Sequence, residues 1–127
     1  MATQSILLVE DDPLLRLDIA ETLREAGFEV IEAGEADSAW ALLQNSPSVQ
    51  LVCTDVEMPG ALDGVDLASL VRGHRPMTKL ILMSGNKDHS HRLPMTPFIG
   101  KPFLPDHLVE LARAEFASTP CPLASEA

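Results

Sequence analysis

Tyrosine is absent from this chain, tryptophan occurs once, and the aromatic share is only 4%. The weight of any core therefore falls on aliphatic side chains. Cysteine occurs twice, as Cys53 and Cys121, too few for the disulfide framework of a small secreted scaffold, so a reducing cytoplasm is the expected compartment. Positive charge is scarce: nine Lys and Arg stand against nineteen Asp and Glu, for a formal net charge of −10. With no basic patch to neutralise phosphates, nucleic acid is excluded as a partner, and an anionic membrane surface for the same reason. Long apolar runs are missing too. Ile6 to Val9 is too short for a signal peptide, Met1 to Ser5 carries no basic residue, and no run approaches the ~20 residues of a membrane span. No internal repeat or low-complexity segment is present.

What remains is an ordinary globular composition, 46% hydrophobic and 22% charged over 127 residues, enough for one domain that needs no staples. Short apolar runs alternate with amphipathic stretches. Ile6 to Val9 reads as a strand ending in Glu10, Asp11 and Asp12. Pro13 then opens a helix, with Asp12 available as its N-cap. Leu15, Ile19, Leu23 and Ala26 give that helix its apolar stripe, and Gly27 stops it. Phe28 to Ala33 is a second strand, and Ala36, Ala39, Trp40 and Leu43 mark a second helix. Leu51 to Cys53 runs as a buried strand to Asp55, and the chain then turns through Pro59 and Gly60. Val65 to Val71 is a third helix, and Leu80 to Met83 a fourth strand ending at Ser84. Asn86 to Pro94 is polar and makes at best a short helix. Phe98 to Gly100 is a fifth strand before Lys101, and Pro105 opens a last helix whose inner face carries Leu108, Leu111, Ala112 and Phe116.

Strands alternating with helices through short connections imply a parallel sheet covered on both faces. Right-handed crossovers favour a flavodoxin-like doubly wound sheet in the order 2-1-3-4-5. In that order Asp11 and Asp12, Asp55, Ser84 and Lys101 all end central strands at one edge. Clustered carboxylates repel one another unless a cation lies among them. Hard oxygen ligands suit Mg2+, Lys101 supplies a point charge for a phosphate or for Asp55, and Ser84 a hydroxyl donor. Together these are parts for placing a phosphoryl group on an aspartate.

The pattern Asp11-Asp12-Pro13, Asp55 with Met58-Pro59-Gly60, Ser84-Gly85 and Lys101-Pro102-Phe103 resembles the receiver domain of bacterial two-component response regulators, in its stand-alone single-domain form. The resemblance covers residues 4–117, with 118–127 left as a flexible tail and no output domain expected. It implies that Asp55 is the phosphoacceptor and that Asp11, Asp12, Asp55 and the backbone carbonyl of Glu57 hold Mg2+ (or Mn2+). Ser84 is then the switch hydroxyl, Phe98 occupies the aromatic switch position, and Lys101 is the lysine of the site, with a cis bond to Pro102. The implied partners are a histidine kinase or histidine phosphotransfer protein and a downstream protein target. The implied role is signalling rather than dedicated catalysis.

Three departures from the family pattern stand out. The loop Gly60 to Gly64 is one residue longer, Phe98 has no hydroxyl, and the stretch from Ser84 to Lys101 is short and contains Pro94 and Pro97. The last leaves the fourth helix shortened or irregular. A phosphate shuttle or sink is an alternative use of the same chemistry. A haloacid-dehalogenase-like phosphatase also uses an aspartate nucleophile with Ser, Lys and Mg2+, but places it on the first strand and needs a cap domain. A module that keeps only the fold would be expected to lose part of the set. His89 and His91 read as solvated surface rather than a metal pair, His74 and His107 as helix surface, and Cys53 as a small core residue.

Overall fold

A computed structural model of the protein describes residues 3–46, 48–86 and 93–118. Five parallel strands, β1 (Ser5–Val9), β2 (Glu29–Ala33), β3 (Leu51–Asp55), β4 (Lys79–Ser84) and β5 (Phe98–Gly100), lie in the order β2-β1-β3-β4-β5. Four helices connect or follow them among the described residues: α1 (Pro13–Glu25), α2 (Ala36–Asn45), α3 (Gly64–His74) and α4 (Pro105–Ala117). This is the doubly wound, flavodoxin-like sheet that the alternation predicts. The expected short helix between Asn86 and Pro94 falls largely on residues 87–92, which lie outside the described residues, as does the tail beyond Ser118.

The central strands are apolar on both sides because both sides are covered. Leu7, Val9, Val52, Leu80 and Leu82 face the core shared with α2 and α3. Their neighbours Ile6, Leu8, Leu51, Cys53, Ile81 and Met83 face the core shared with α1 and α4. Period-two alternation thus divides each strand between two hydrophobic layers rather than between core and water. Few rings are available, and they sit at the margins. Phe28 and Phe116 stack with centroids 5.5 Å apart in the α1/α4 layer, and Trp40 lies against His74 at the α2–α3 seam.

Helix boundaries follow their caps. Asp12 accepts from the N–H groups of Leu14 and Leu15, and Pro13 takes the first helical position, where its missing N–H costs nothing. Gly27, at φ +103°, turns the chain after α1 into β2. Helix α3 begins one residue earlier than Val65 and runs on to His74. Asp63 caps it by accepting from Asp66 N–H, and Asp66 answers by accepting from Asp63 N–H, a reciprocal capping box. Helix α2 lacks a basic residue in its last turn. Arg75, just past α3, donates instead to the carbonyls of Leu43 (2.6 Å) and Val49 (3.0 Å) and so closes that end.

Strand β5 is held from the side. Arg72 of α3 donates to the carbonyl of Pro94 and to the hydroxyl of Thr96, and Leu82 N–H pairs with the carbonyl of Pro97. The Lys101–Pro102 peptide is cis, as the family resemblance implies.

Candidate functional site: an acidic pocket at the carboxyl edge

Adjacent parallel strands put their carboxyl ends side by side, so the last residues of β1, β3, β4 and β5 share one edge of the sheet. Asp55 is the final residue of β3 and only 6% exposed. Ser84 ends β4 and is buried. Lys101 follows β5, where its N–H bonds to the carbonyl of Ser84. That bond aims the lysine side chain back across the edge. Its Nζ lies 2.9 Å from Asp55 Oδ2 and 2.6 Å from Glu10 Oε1. One ammonium therefore bridges two carboxylates carried on different strands.

Glu10, Asp11 and Asp55 each bring a carboxylate oxygen within 4.8 Å of the others. Asp11 is exposed, and Glu10 is 1% exposed. Of the acidic pair read from the sequence, Asp11 thus joins Asp55 in the cluster, while Asp12 spends its carboxylate on the N-terminus of α1. The third carboxylate is Glu10, the residue that directly follows β1 and that the sequence alone marks only as a strand end. Asp12 N–H in turn donates to Glu10 Oε2 at 3.1 Å.

Electrostatics follow from burial. Desolvation pushes the Asp55 carboxyl above its ordinary range. The hydrogen bond and charge of Lys101 pull against this, Asp11 adds to the rise, and the backbone N–H of Glu57 opposes it. Glu10 is likewise raised, chiefly by burial, with Lys101 and the Asp12 N–H acting against it. Burial draws Lys101 down, but its bonds to Glu10 and Asp55 outweigh that, and the ammonium is held above its usual value. Three carboxylates around one ammonium leave excess negative charge at a partly solvated edge. Hard oxygen donors so arranged fit a divalent ion of the Mg2+ type, which keeps several waters of its own.

The remaining residues flank this centre. Ser84 Oγ accepts from Asn86 N–H at 3.0 Å. Glu57 is exposed at the entrance. Phe98 opens β5, half-buried, and packs against the α2/α3 layer. The enlarged loop after β3 is tied to α2, since Leu62 N–H donates to Asp37 Oδ1 at 3.1 Å. Cys53 is fully buried below the site, and burial pushes its thiol far above the usual value, so it is inert there.

Comparison with known proteins agrees with this geometry. The family described as the response regulator receiver domain matches residues 6–113. The C4-dicarboxylate transport transcriptional regulatory protein DctD of Rhizobium meliloti is 35% identical over 121 residues, which is 88% of this chain and 25% of that protein. The chain spans less than half the length of other curated relatives that it matches. The receiver domain of NtrX from Brucella abortus superposes with a TM-score of 0.77 at 32% identity, covering 89% of this chain and 99% of that one. The response regulator TrrA of Thermotoga maritima, in complex with Mg(2+)-BeF, gives 0.77 at 28% identity over 88% of this chain and 98% of its own. A five-stranded sheet whose third strand ends in a lysine-bridged aspartate, matched along most of its length by one family, places the chain among the response regulator receiver domains of two-component signalling.

Proposed function

We propose that Asp55 accepts a phosphoryl group from the phosphohistidine of a histidine kinase or histidine phosphotransfer protein, and that this modification switches the surface around Ser84 and Phe98. Receiver domains receive phosphate from such donors. The observation that carries the reading here is the Lys101 ammonium lying between Asp55 and Glu10. A buried carboxylate with a fixed cation at one oxygen is an oriented nucleophile, and that cation stands ready to meet part of the charge an incoming phosphoryl group brings.

In the transfer, an Asp55 oxygen attacks phosphorus. The new O–P bond forms as the P–N bond to the donor histidine breaks, and the electron pair leaves with the imidazole, which takes a proton. Glu10, Asp11, Asp55 and the Glu57 carbonyl would hold Mg2+ (or Mn2+), which would supply charge neutralisation for the transfer. Lys101 binds a phosphoryl oxygen at the expense of its bond to Asp55. Ser84 turns its hydroxyl toward another, and Phe98, lacking a hydroxyl of its own, reports the change through packing alone. The chain so described is a signalling module whose one chemical step is on itself.

Intact mass after incubation with acetyl phosphate and Mg2+ tests the assignment. One added phosphoryl group is expected in the wild type, and none in Asp55→Asn or in EDTA. Uptake by Asp55→Asn at the wild-type rate sinks the choice of acceptor.

A further inference from the structure

A second cation approaches the acidic pocket from the opposite side to Lys101, and the phosphotransfer just described has no use for it. Arg16 Nη1 donates to the backbone carbonyl of Glu10 at 2.9 Å, and Nε lies 3.4 Å from Glu32 Oε1 on β2. Glu32 is held in turn by Arg24 Nη1 at 3.0 Å. The guanidinium occupies a slot left by Gly34, where a β-carbon would come within 3.1 Å of Nη1. Arg16 also stands one helical turn beyond Asp12, its N–H bonded to the Asp12 carbonyl at 2.9 Å.

The carbonyl that Arg16 grips belongs to the peptide joining Glu10 to Asp11, the two β1-edge carboxylates of the cluster. Glu10 is thereby fixed at four points: its N–H to the Ala33 carbonyl, its carbonyl to Arg16, and its carboxylate to Lys101 and to the Asp12 N–H. An arginine serving only to pin α1 onto β2 would be satisfied by Glu32. Here the shorter bond goes to the Glu10 carbonyl. Asp11 leaves β1 through that peptide, so a change in its orientation would swing the Asp11 carboxylate away from Glu10 and Asp55.

We propose that Arg16, anchored by Glu32, is a positioning residue for the divalent ion: it holds the Glu10–Asp11 peptide in the orientation that lets the Asp11 carboxylate face the ion beside Glu10 and Asp55. The proposal rests on the Mg2+-dependent reading of the pocket. Partners that orient metal ligands without touching the metal are worth about 10-fold or more in affinity.

The test measures Mn2+ affinity by calorimetry, thermal unfolding in EDTA, and the Mg2+ dependence of phosphoryl uptake from acetyl phosphate, in wild type, Arg16→Ala and Arg16→Met. The methionine variant keeps the packing of the stem and the helix propensity while removing both bonds. In each variant Mn2+ should bind about 10-fold more weakly. The Mg2+ concentration for half-maximal uptake should rise in step, with the rate at saturating Mg2+ unchanged. A lower melting temperature with wild-type Mn2+ affinity and Mg2+ dependence in either variant makes Arg16 a structural clamp only and overturns the proposal. If the wild type itself binds no Mn2+, the reading of the pocket fails first and takes the role of Arg16 with it. The two failures thus appear in different proteins.

Discussion

Gly64 abuts Asp55 so closely that a β-carbon at position 64 would lie 1.8 Å from the Asp55 carbonyl oxygen and 2.8 Å from the α-carbon of Val56. The atoms in the way are backbone, so no rotamer change relieves the clash. Helix α3 can start where it does, with Gly64 N–H on the Val56 carbonyl at 2.9 Å, only because that side chain is missing.

Gly64→Ala is therefore expected to destabilise the fold by about 3 kcal/mol, at the severe end of overpacking costs. It should also slow phosphoryl uptake by displacing the end of β3. Urea unfolding measures the first effect. A loss below about 0.5 kcal/mol, the range of an ordinary surface change, would mean that α3 shifts freely.

Lys101→Ala strips the counter-charge from Glu10 and Asp55. Removing one partner of a buried pair costs more than the pair contributes, and with Lys101 partly open to water about 2 kcal/mol at pH 7 is expected. The phosphorylation-linked change in amide spectra should vanish even where uptake persists. An unaltered shift on phosphorylation would count against Lys101 as the group that senses the phosphate.

Glu10 and Asp55 are both raised in the folded state, so between the ordinary carboxylate range and their folded values the native protein binds more protons than the unfolded chain. Stability from these two groups therefore falls as pH rises through that window. Lys101 acts in the same sense at the other end: raised above the ordinary lysine value, it stabilises at neutral pH and loses that contribution as pH climbs through its folded value. Asp55→Asn should flatten the acidic limb and shrink the alkaline one without abolishing it, because Lys101 loses one of its two carboxylates and keeps Glu10. Chemical denaturation across pH in EDTA checks both limbs, and an acidic limb of the same slope in Asp55→Asn would contradict the assignment.

Asp12 and its two neighbours should separate cleanly. Asp12→Ala removes the cap of α1 and should cost about 1 kcal/mol, with Mn2+ affinity unchanged. Asp11→Asn and Glu10→Gln should weaken Mn2+ binding with less effect on the helix. Loss of metal affinity in Asp12→Ala would restore Asp12 as a ligand.

The strand order, the edge on which the site lies and the convergence of Asp55, Ser84 and Lys101 were all legible in the sequence, because each rests on a local signal: an apolar run, a polar strand end, a helix start. The choice among Glu10, Asp11 and Asp12 was not. Three adjacent acids after a strand carry no phase until the last strand residue is known. The available clue was Pro13, since a carboxylate at the N-cap before it is already committed to the helix. Arg16 was invisible for another reason: its partners lie on β1 and β2, and a lone arginine on a helix announces neither. Gly64 was passed over as a loop residue, since only the fold brings Asp55 against it.

Cys53, sealed between β1 and β4 two residues before Asp55, gives the protein a built-in clock. A thiol so buried meets an alkylating reagent only when the middle strand comes loose, so in a Cys121→Ser background its labelling rate counts those openings directly. Whatever binds at the far end of that strand must slow the clock, and the amount of slowing reads the binding energy without a label on the ligand.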